Sequence, residues 1–334
     1  MIYRPGYCRL ACFLVLAVSG APALAYEYVA VGNPSSVGGY AYGLNNSGQA
    51  ATTSLTRSFL ASGTGYASVS EILISDSATS TPGVVAQGIN DAGEVVGRYR
   101  IQGNPANQTS GFLRRVDGTI EKYDYPGLGS TSISDINHLG AMVGETRSDL
   151  TVFGVIRGFL YEEGNYSEIS FPGSVLTRAY GINNASAIVG QFQNEDAVSR
   201  PFLLQGDDYQ ELTPHGAPGG LQSALATGIN NKGLIIGTYR DLSNVTKTWL
   251  RDLDGSYSYP ELPGSGWGIN DLRQISGSFL DVTNGNARTP FVASVPEPAT
   301  YILGLLGLGV ASLLRTRMHS GRRDRRSSAK ENAL

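Results

Sequence analysis

Short apolar runs rich in Val, Ile, Phe and Tyr follow one another along most of the chain, each ended within a few residues by Gly, Asn or Asp. Runs of this kind, bounded by residues that favour turns, predict β-strands joined by tight connections. The pattern is also periodic. Gly88-Ile89-Asn90-Asp91-Ala92-Gly93-Glu94-Val95-Val96-Gly97 returns in related form from Gly43, Asp135, Gly181, Gly228 and Gly268. The asparagines of this anchor segment, Asn45, Asn90, Asn137, Asn183, Asn230 and Asn270, stand 45, 47, 46, 47 and 40 residues apart. Such a spacing marks a repeat architecture, so the unit has to be understood before any single residue.

Each unit reads as two hairpins. Asn-x-x-Gly between strand-forming flanks is a turn whose last residue takes positive φ, a role for Gly48, Gly93, Gly140 and Gly233. Ser186 and Arg273 stand in that place in two units, where a different turn is expected. The second hairpin runs from Gly111-Phe112-Leu113 through the turn Asp117-Gly118 to Tyr125, and Asp254-Gly255 repeats its turn. Phe59, Phe112, Phe159, Phe202, Trp249 and Phe291 recur at one position of it and are expected in the core. Four strands in roughly 46 residues is the content of one β-propeller blade. The anchors therefore predict an all-β, six-bladed β-propeller, with a β-solenoid as the alternative. The last unit ends after its third strand, near Ser294, while residues 26–31 precede the first anchor without a partner. That segment is expected to supply the outer strand of blade six and remove two exposed edges. In this arrangement the Asn turns and Asp-Gly turns share one face, expected to be inert, and the longer connections occupy the other.

The two ends carry a different pattern. Arg4 and Arg9, the apolar residues 10–18 and Ala23-Leu24-Ala25 form the three regions of a secretory signal, with cleavage expected between Ala25 and Tyr26. Its apolar core is about half of the roughly 20 residues that a bilayer span needs. At the other end Pro296-Glu297-Pro298 precede the nearly uncharged residues 299–314, then Arg315, Arg317, Arg322, Arg323, Arg325 and Arg326. At 1.5 Å per residue the apolar run makes a hydrophobic anchor helix of roughly 24 Å, with the arginines cytoplasmic and the preceding chain exported. The expected organisation is a signal peptide over 1–25, a six-repeat β domain over 26–295 and a sorting signal over 296–334.

This C-terminal series resembles the PEP-CTERM sorting signal, found on exported proteins of Gram-negative bacteria that make extracellular polysaccharide. The resemblance implies that a membrane enzyme, exosortase, recognises Pro296, Glu297 and Pro298 and processes the anchor. Residues 299–314 would then hold the chain transiently in the inner membrane, with the cell surface or extracellular matrix as destination. The repeats over 43–294 resemble extracellular HAF repeats in their Ile-Asn-x-x-Gly half. Ser110-Gly111-Phe112-Leu113 and its counterparts lack the His-Ala of the other half.

Charge and composition narrow the chemistry. Residues 26–298 carry a formal charge of −10, against −3 for the whole chain, which makes a nucleic-acid surface unsuitable. Both cysteines, Cys8 and Cys12, lie in the leader, so the β domain has neither a disulfide nor a thiolate metal site. No phosphate loop, dinucleotide fingerprint, zinc-protease motif or serine elbow is present, and neither cofactor nor metal is expected. His138, His215 and the pairs Glu162-Glu163, Glu195-Asp196 and Asp207-Asp208 fall in or near turns, as does Asp252-Leu253-Asp254-Gly255. Solvated loop roles account for them, and no catalytic residue is assigned. Tyr42, Tyr180 and Trp267 each precede an anchor on an inner strand and form a candidate carbohydrate-binding rim. These features point to a non-enzymatic surface or matrix protein that binds extracellular polymer, such as exopolysaccharide, or a surface protein. The alternative is a secreted propeller-fold glycoside hydrolase or lyase with acidic residues at the channel mouth.

Overall fold

The computed structural model describes residues 27–31, 39–54, 57–66, 68–76, 79–80, 83–101, 108–127, 129–148, 155–282 and 285–294. The expected leader with its cleavage point at Ala25 and Tyr26, the Pro296-Glu297-Pro298 motif and the anchor helix lie outside the described residues. Those residues form six four-stranded antiparallel sheets, the blades of a propeller. The inner strands are Gly39–Leu44, Val85–Ile89, Ser130–Ile136, Leu176–Ile182, Ser223–Ile229 and Ser265–Ile269. Each touches the inner strand of the next blade, and the sixth returns to the first, so the repeat closes into a ring and is not a solenoid.

The recurring aromatic explains the glycine that ends most anchors. Phe112, Phe159, Phe202, Trp249 and Phe291 sit directly across the ladder from Gly97, Gly144, Gly190, Gly237 and Gly277. A Cβ on Gly237 would stand 2.3 Å from the Trp249 ring, so the aromatic occupies the volume that glycine leaves open. All six aromatics, Phe59 included, are at most 4% exposed. Burial of one such ring contributes about 1.5–3 kcal/mol. The core lies mainly between blades: Val189 and Leu203 of blade four pack with Ala226, Ile235 and Trp249 of blade five.

Ring closure follows the sequence expectation. Glu27–Ala30 adds to Ala287–Ser294 as the outer strand of blade six. The Val31 N–H then donates to the Pro290 carbonyl at 2.9 Å.

Each anchor asparagine makes contacts in two directions. Its Oδ1 accepts N–H groups of its own turn, for instance from Ala185 and Ala187 to Asn183, both at 3.0 Å. Its Nδ2 donates to the backbone carbonyl of the next anchor asparagine. These bonds run Asn45 to Asn90 (2.9 Å), Asn90 to Asn137 (3.3 Å), Asn137 to Asn183 (3.2 Å) and Asn183 to Asn230 (3.2 Å). Asn230 to Asn270 (3.0 Å) and Asn270 to Asn45 (3.1 Å) complete an unbroken circle. All six side chains are buried, so each donor and acceptor needs these partners.

The turns at Ser186 and Arg273 correct the expectation of a different geometry. Both residues adopt positive φ, 55° and 58°, where Gly93 has 88°. Their N–H groups donate to the Asn183 and Asn270 carbonyls at 3.0 and 3.1 Å, as that of Gly93 does to Asn90 at 3.0 Å. The asparagine cap and the circular bonds over-determine the turn and hold a side-chain-bearing residue where the left-handed conformation costs about 1–2 kcal/mol.

Candidate functional site

Every inner strand shifts register at one place, between Ala41 and Gly43, Ala86 and Gly88, Ile133 and Asp135, Ala179 and Gly181, Ala226 and Gly228, and Gly266 and Gly268. The residues left in these bulges are Tyr42, Gln87, Ser134, Tyr180, Thr227 and Trp267. A bulge re-aims its side chain, and here all six line one central cavity of about 380 Å³. That volume lies in the range of small-molecule sites.

The three aromatic candidates all reach this cavity, within its walls. Tyr42 and Trp267, on blades one and six, meet edge to face with centroids 5.7 Å apart. Tyr40 stacks on Tyr42 at 5.2 Å, and the Arg288 guanidinium covers Tyr40 at 5.1 Å. Tyr180 belongs to blade four, on the other side of the ring, beside Arg178, whose Nε pairs with Glu145 at 2.8 Å. The structure thus unites Tyr42 with Trp267 and sets Tyr180 on a separate wall. Burial, with Tyr40 alongside, pushes the Tyr42 hydroxyl up to about 12, so it remains a neutral donor across physiological pH.

The residue after each anchor asparagine also lines the cavity: Asn46, Asp91, His138, Asn184, Asn231 and Asp271. Backbone N–H groups bond to the side-chain oxygen one blade on, Asn46 to Asp91 (2.8 Å), His138 to Asn184 (2.9 Å) and Asn184 to Asn231 (2.9 Å). Asn231 to Asp271 (2.8 Å) and Asp271 to Asn46 (2.7 Å) continue the series. His138 has no side-chain oxygen to offer Asp91. His138, Asn184 and Asn231 are exposed. The Asn-turn residues, expected to be inert, therefore line the cavity together with the bulged side chains.

One residue of the wall was not singled out from the sequence. Asp135 occupies the first anchor position, which is glycine in the other five units. Its Oδ2 accepts the Ile182 N–H at 3.1 Å, and its Oδ1 lies over Gly88, where an added Cβ would come within 2.7 Å of it. Burial raises this carboxyl from the usual carboxylate range to about 7, against a smaller lowering by the Ile182 and Ile136 N–H groups. The signal was visible as the one departure from glycine in a column of six.

The remaining polar candidates stay away from the cavity. His215 offers its carbonyl to the Tyr259 hydroxyl at 2.6 Å, and Asp196 pairs with Arg200. Glu162 and Glu163 are exposed at the Gly164 turn, as are Asp207 and Asp208 at the Gly206 turn. Among the described residues no group of three or more His, Cys, Asp or Glu side chains is placed to hold a metal.

Comparison with known proteins adds the C-terminal segment. Residues 294–317 match the family model of the PEP-CTERM protein-sorting motif. The chain carries a PEP-CTERM sorting motif. It begins at the last residue of the blade-six strand, and it implies export, with membrane-anchored sorting before processing by exosortase. Similar solved structures include TolB from Acinetobacter baumannii, with 13% identity, a TM-score of 0.52 and 78% of this chain covered. The match spans 64% of that TolB chain, less than two thirds of its length. A putative TolB from Agrobacterium tumefaciens aligns at 9% identity and TM-score 0.51, covering 78% of this chain and 91% of its own. A putative gluconolactonase aligns at 12% identity and TM-score 0.50, covering 81% and 92%. At these identities the likeness is one of fold. No curated protein sequence matches the chain.

Proposed function

We propose that the exported body is a non-enzymatic carbohydrate-binding propeller of the cell surface or matrix, taking a segment of extracellular polymer, such as exopolysaccharide, into its central cavity. In this reading a leader cleaved between Ala25 and Tyr26 precedes HAF-type repeats over 26–295, and exosortase reads Pro296, Glu297 and Pro298. The observation that carries the proposal is the set of bulged aromatics. Tyr42 and Trp267 form one wall of the cavity and Tyr180 another, with asparagine and aspartate side chains also in the lining. Aromatic faces cover the apolar faces of sugar rings, and oriented amides and carboxylates satisfy their hydroxyls. The test is retention of the processed protein on the host's own exopolysaccharide. Trp267→Ala should weaken retention while the melting transition persists; full retention in a folded variant removes the cavity from the account.

A second reading, a glycoside hydrolase or lyase, is favoured by one observation. Asp135 is a carboxyl poised near neutrality, as a general acid requires. Release of new chain ends from the polymer, abolished by Asp135→Asn, would support it over binding alone.

A further inference from the structure

We propose that Asp135 makes the central cavity selective for a cationic sugar, an amino sugar with a free ammonium group, over its N-acetylated or uronate counterpart. The inference rests on the carbohydrate-binding reading and narrows its ligand class.

Asp135 breaks the sixfold symmetry of the ring. At the five glycines that share this anchor position, Gly43, Gly88, Gly181, Gly228 and Gly268, an added Cβ would approach the neighbouring blade's backbone to 2.4–3.1 Å. Close packing of the blades therefore calls for glycine, and the fold is met without a carboxylate at five places of six. The half-buried Asp135 carboxyl, held by backbone N–H groups, is therefore an acceptor that the fold does not require at the sixth place.

The charge around Asp135 is predominantly negative. The ionisable side chains lining the cavity are Asp91, Asp135, Asp271, His138, Arg178, Tyr42 and Tyr180. Asp91 and Asp271 both accept from the Asn46 amide, at 2.9 and 2.8 Å. Among the described residues Arg178 is the one arginine or lysine in the lining, and it is paired with Glu145. Arg98 stands behind Ser132, at 3.4 Å from its hydroxyl, and Arg288 covers Tyr40. Among the described residues Asp135 has backbone N–H partners and no ion pair. The cavity is thus short of positive charge, and its aromatic walls are themselves attractive to a cation. An ammonium on a hydroxylated ring supplies what Asp135 lacks, whereas a uronate would add a further negative charge.

The experiment titrates the exported, processed protein with a glucosamine tetramer, its N-acetylated form, a uronate tetramer and an N-trimethylated glucosamine tetramer whose charge is fixed. The expected result is at least tenfold tighter binding of the glucosamine tetramer than of the N-acetylated one. Asp135→Asn, which keeps an acceptor for the Ile182 N–H, should abolish that preference, so that the two tetramers bind equally. Binding of the fixed-charge tetramer should strengthen as pH rises through about 7 in the wild type and stay flat in the variant. Asp135→Gly, which restores the residue of the other five units, should behave as Asp135→Asn if the latter folds poorly. Equal or tighter binding of the N-acetylated or uronate tetramer overturns the proposal and leaves carbohydrate binding standing. A preference that survives both substitutions overturns the role of Asp135, and absence of binding to every tetramer and to the host polymer removes both readings.

Discussion

Glu27 pairs with Ser294 in the outer ladder of blade six, so the strand that precedes the first anchor lies beside the strand that follows the last. The ring is closed by the strand that begins it. Removal of residues 27–31 would expose the hydrogen-bonding edge of Ala287–Ser294 and take away the Val31 side chain, which is 5% exposed. The expected loss is about 2 kcal/mol or more, with self-association through the open edge. Calorimetry with light scattering checks this; an unchanged melting transition would separate the strand from ring stability.

The same register constrains the membrane-anchored precursor. Ser294 pairs with Gln274, the residue at which the blade-six Asn turn ends, so the sorting motif leaves from the Asn-turn face. Five Cα steps separate Ser294 from the apolar run that starts at Ala299, a reach of at most about 18 Å. The neighbouring strand, Gln274–Asp281, is about 24 Å long. With the apolar run inserted as the proposed membrane anchor, the face of long connections is expected to stay clear of the bilayer. A fluorophore at Leu272 in the blade-six turn should be quenched by lipid-borne quenchers more than one at Leu242 on the other face. The reverse order would contradict this orientation.

The asparagine circle makes its own prediction. Asn183→Asp keeps the acceptor that caps the turn at Ala185 and Ala187 but loses the Nδ2 donor to Asn230. It leaves a buried carbonyl facing a carboxylate, which should cost about 1–3 kcal/mol in urea unfolding at neutral pH. A variant as stable as the wild type would reduce the circle to a by-product of six local caps.

Asp135 should give the fold an unusual pH dependence. An unfolded carboxyl titrates near about 4, whereas in the ring it titrates at about 7. Between these values the native state holds the extra proton, so this group makes the protein less stable as pH rises from about 4 to 7, and the loss is complete above 7. Asp196, held at about 2 by Arg200, acts oppositely and loses its contribution only as pH falls through the acid range below about 4. Urea unfolding at pH 5 and pH 8 should show a smaller difference in Asp135→Asn than in the wild type. Identical pH profiles would mean that the carboxyl is not held in its neutral form.

Much of the fold was legible because it is written locally and six times. The Asn-x-x-Gly turns, the aromatic opposite glycine and the unpaired first strand all follow from spacing, and the ring, core and closure agree with them. The turns at Ser186 and Arg273 were misread because the asparagine cap, and not glycine, dictates their shape. The site was less legible because its contacts run between blades. Arg178 meets Glu145, and Asp135 meets Ile182, only once the ring brings neighbouring blades together. Tyr42, Tyr180 and Trp267 were identifiable by position, but their depth in the wall depends on bulges that alternation alone does not reveal.

The chain's two tryptophans allow the central claim to be read directly. Trp249 is fully buried and donates to the Thr238 carbonyl at 3.2 Å, whereas Trp267 lines the cavity. Titration of the processed protein with host exopolysaccharide fragments should shift the tryptophan emission with saturation. Trp267→Phe should abolish the shift, and Trp267→Ala should weaken binding at least tenfold. Polymer binding that leaves the emission unchanged, or that Trp267→Ala does not weaken in a folded ring, would contradict a carbohydrate site in the central cavity.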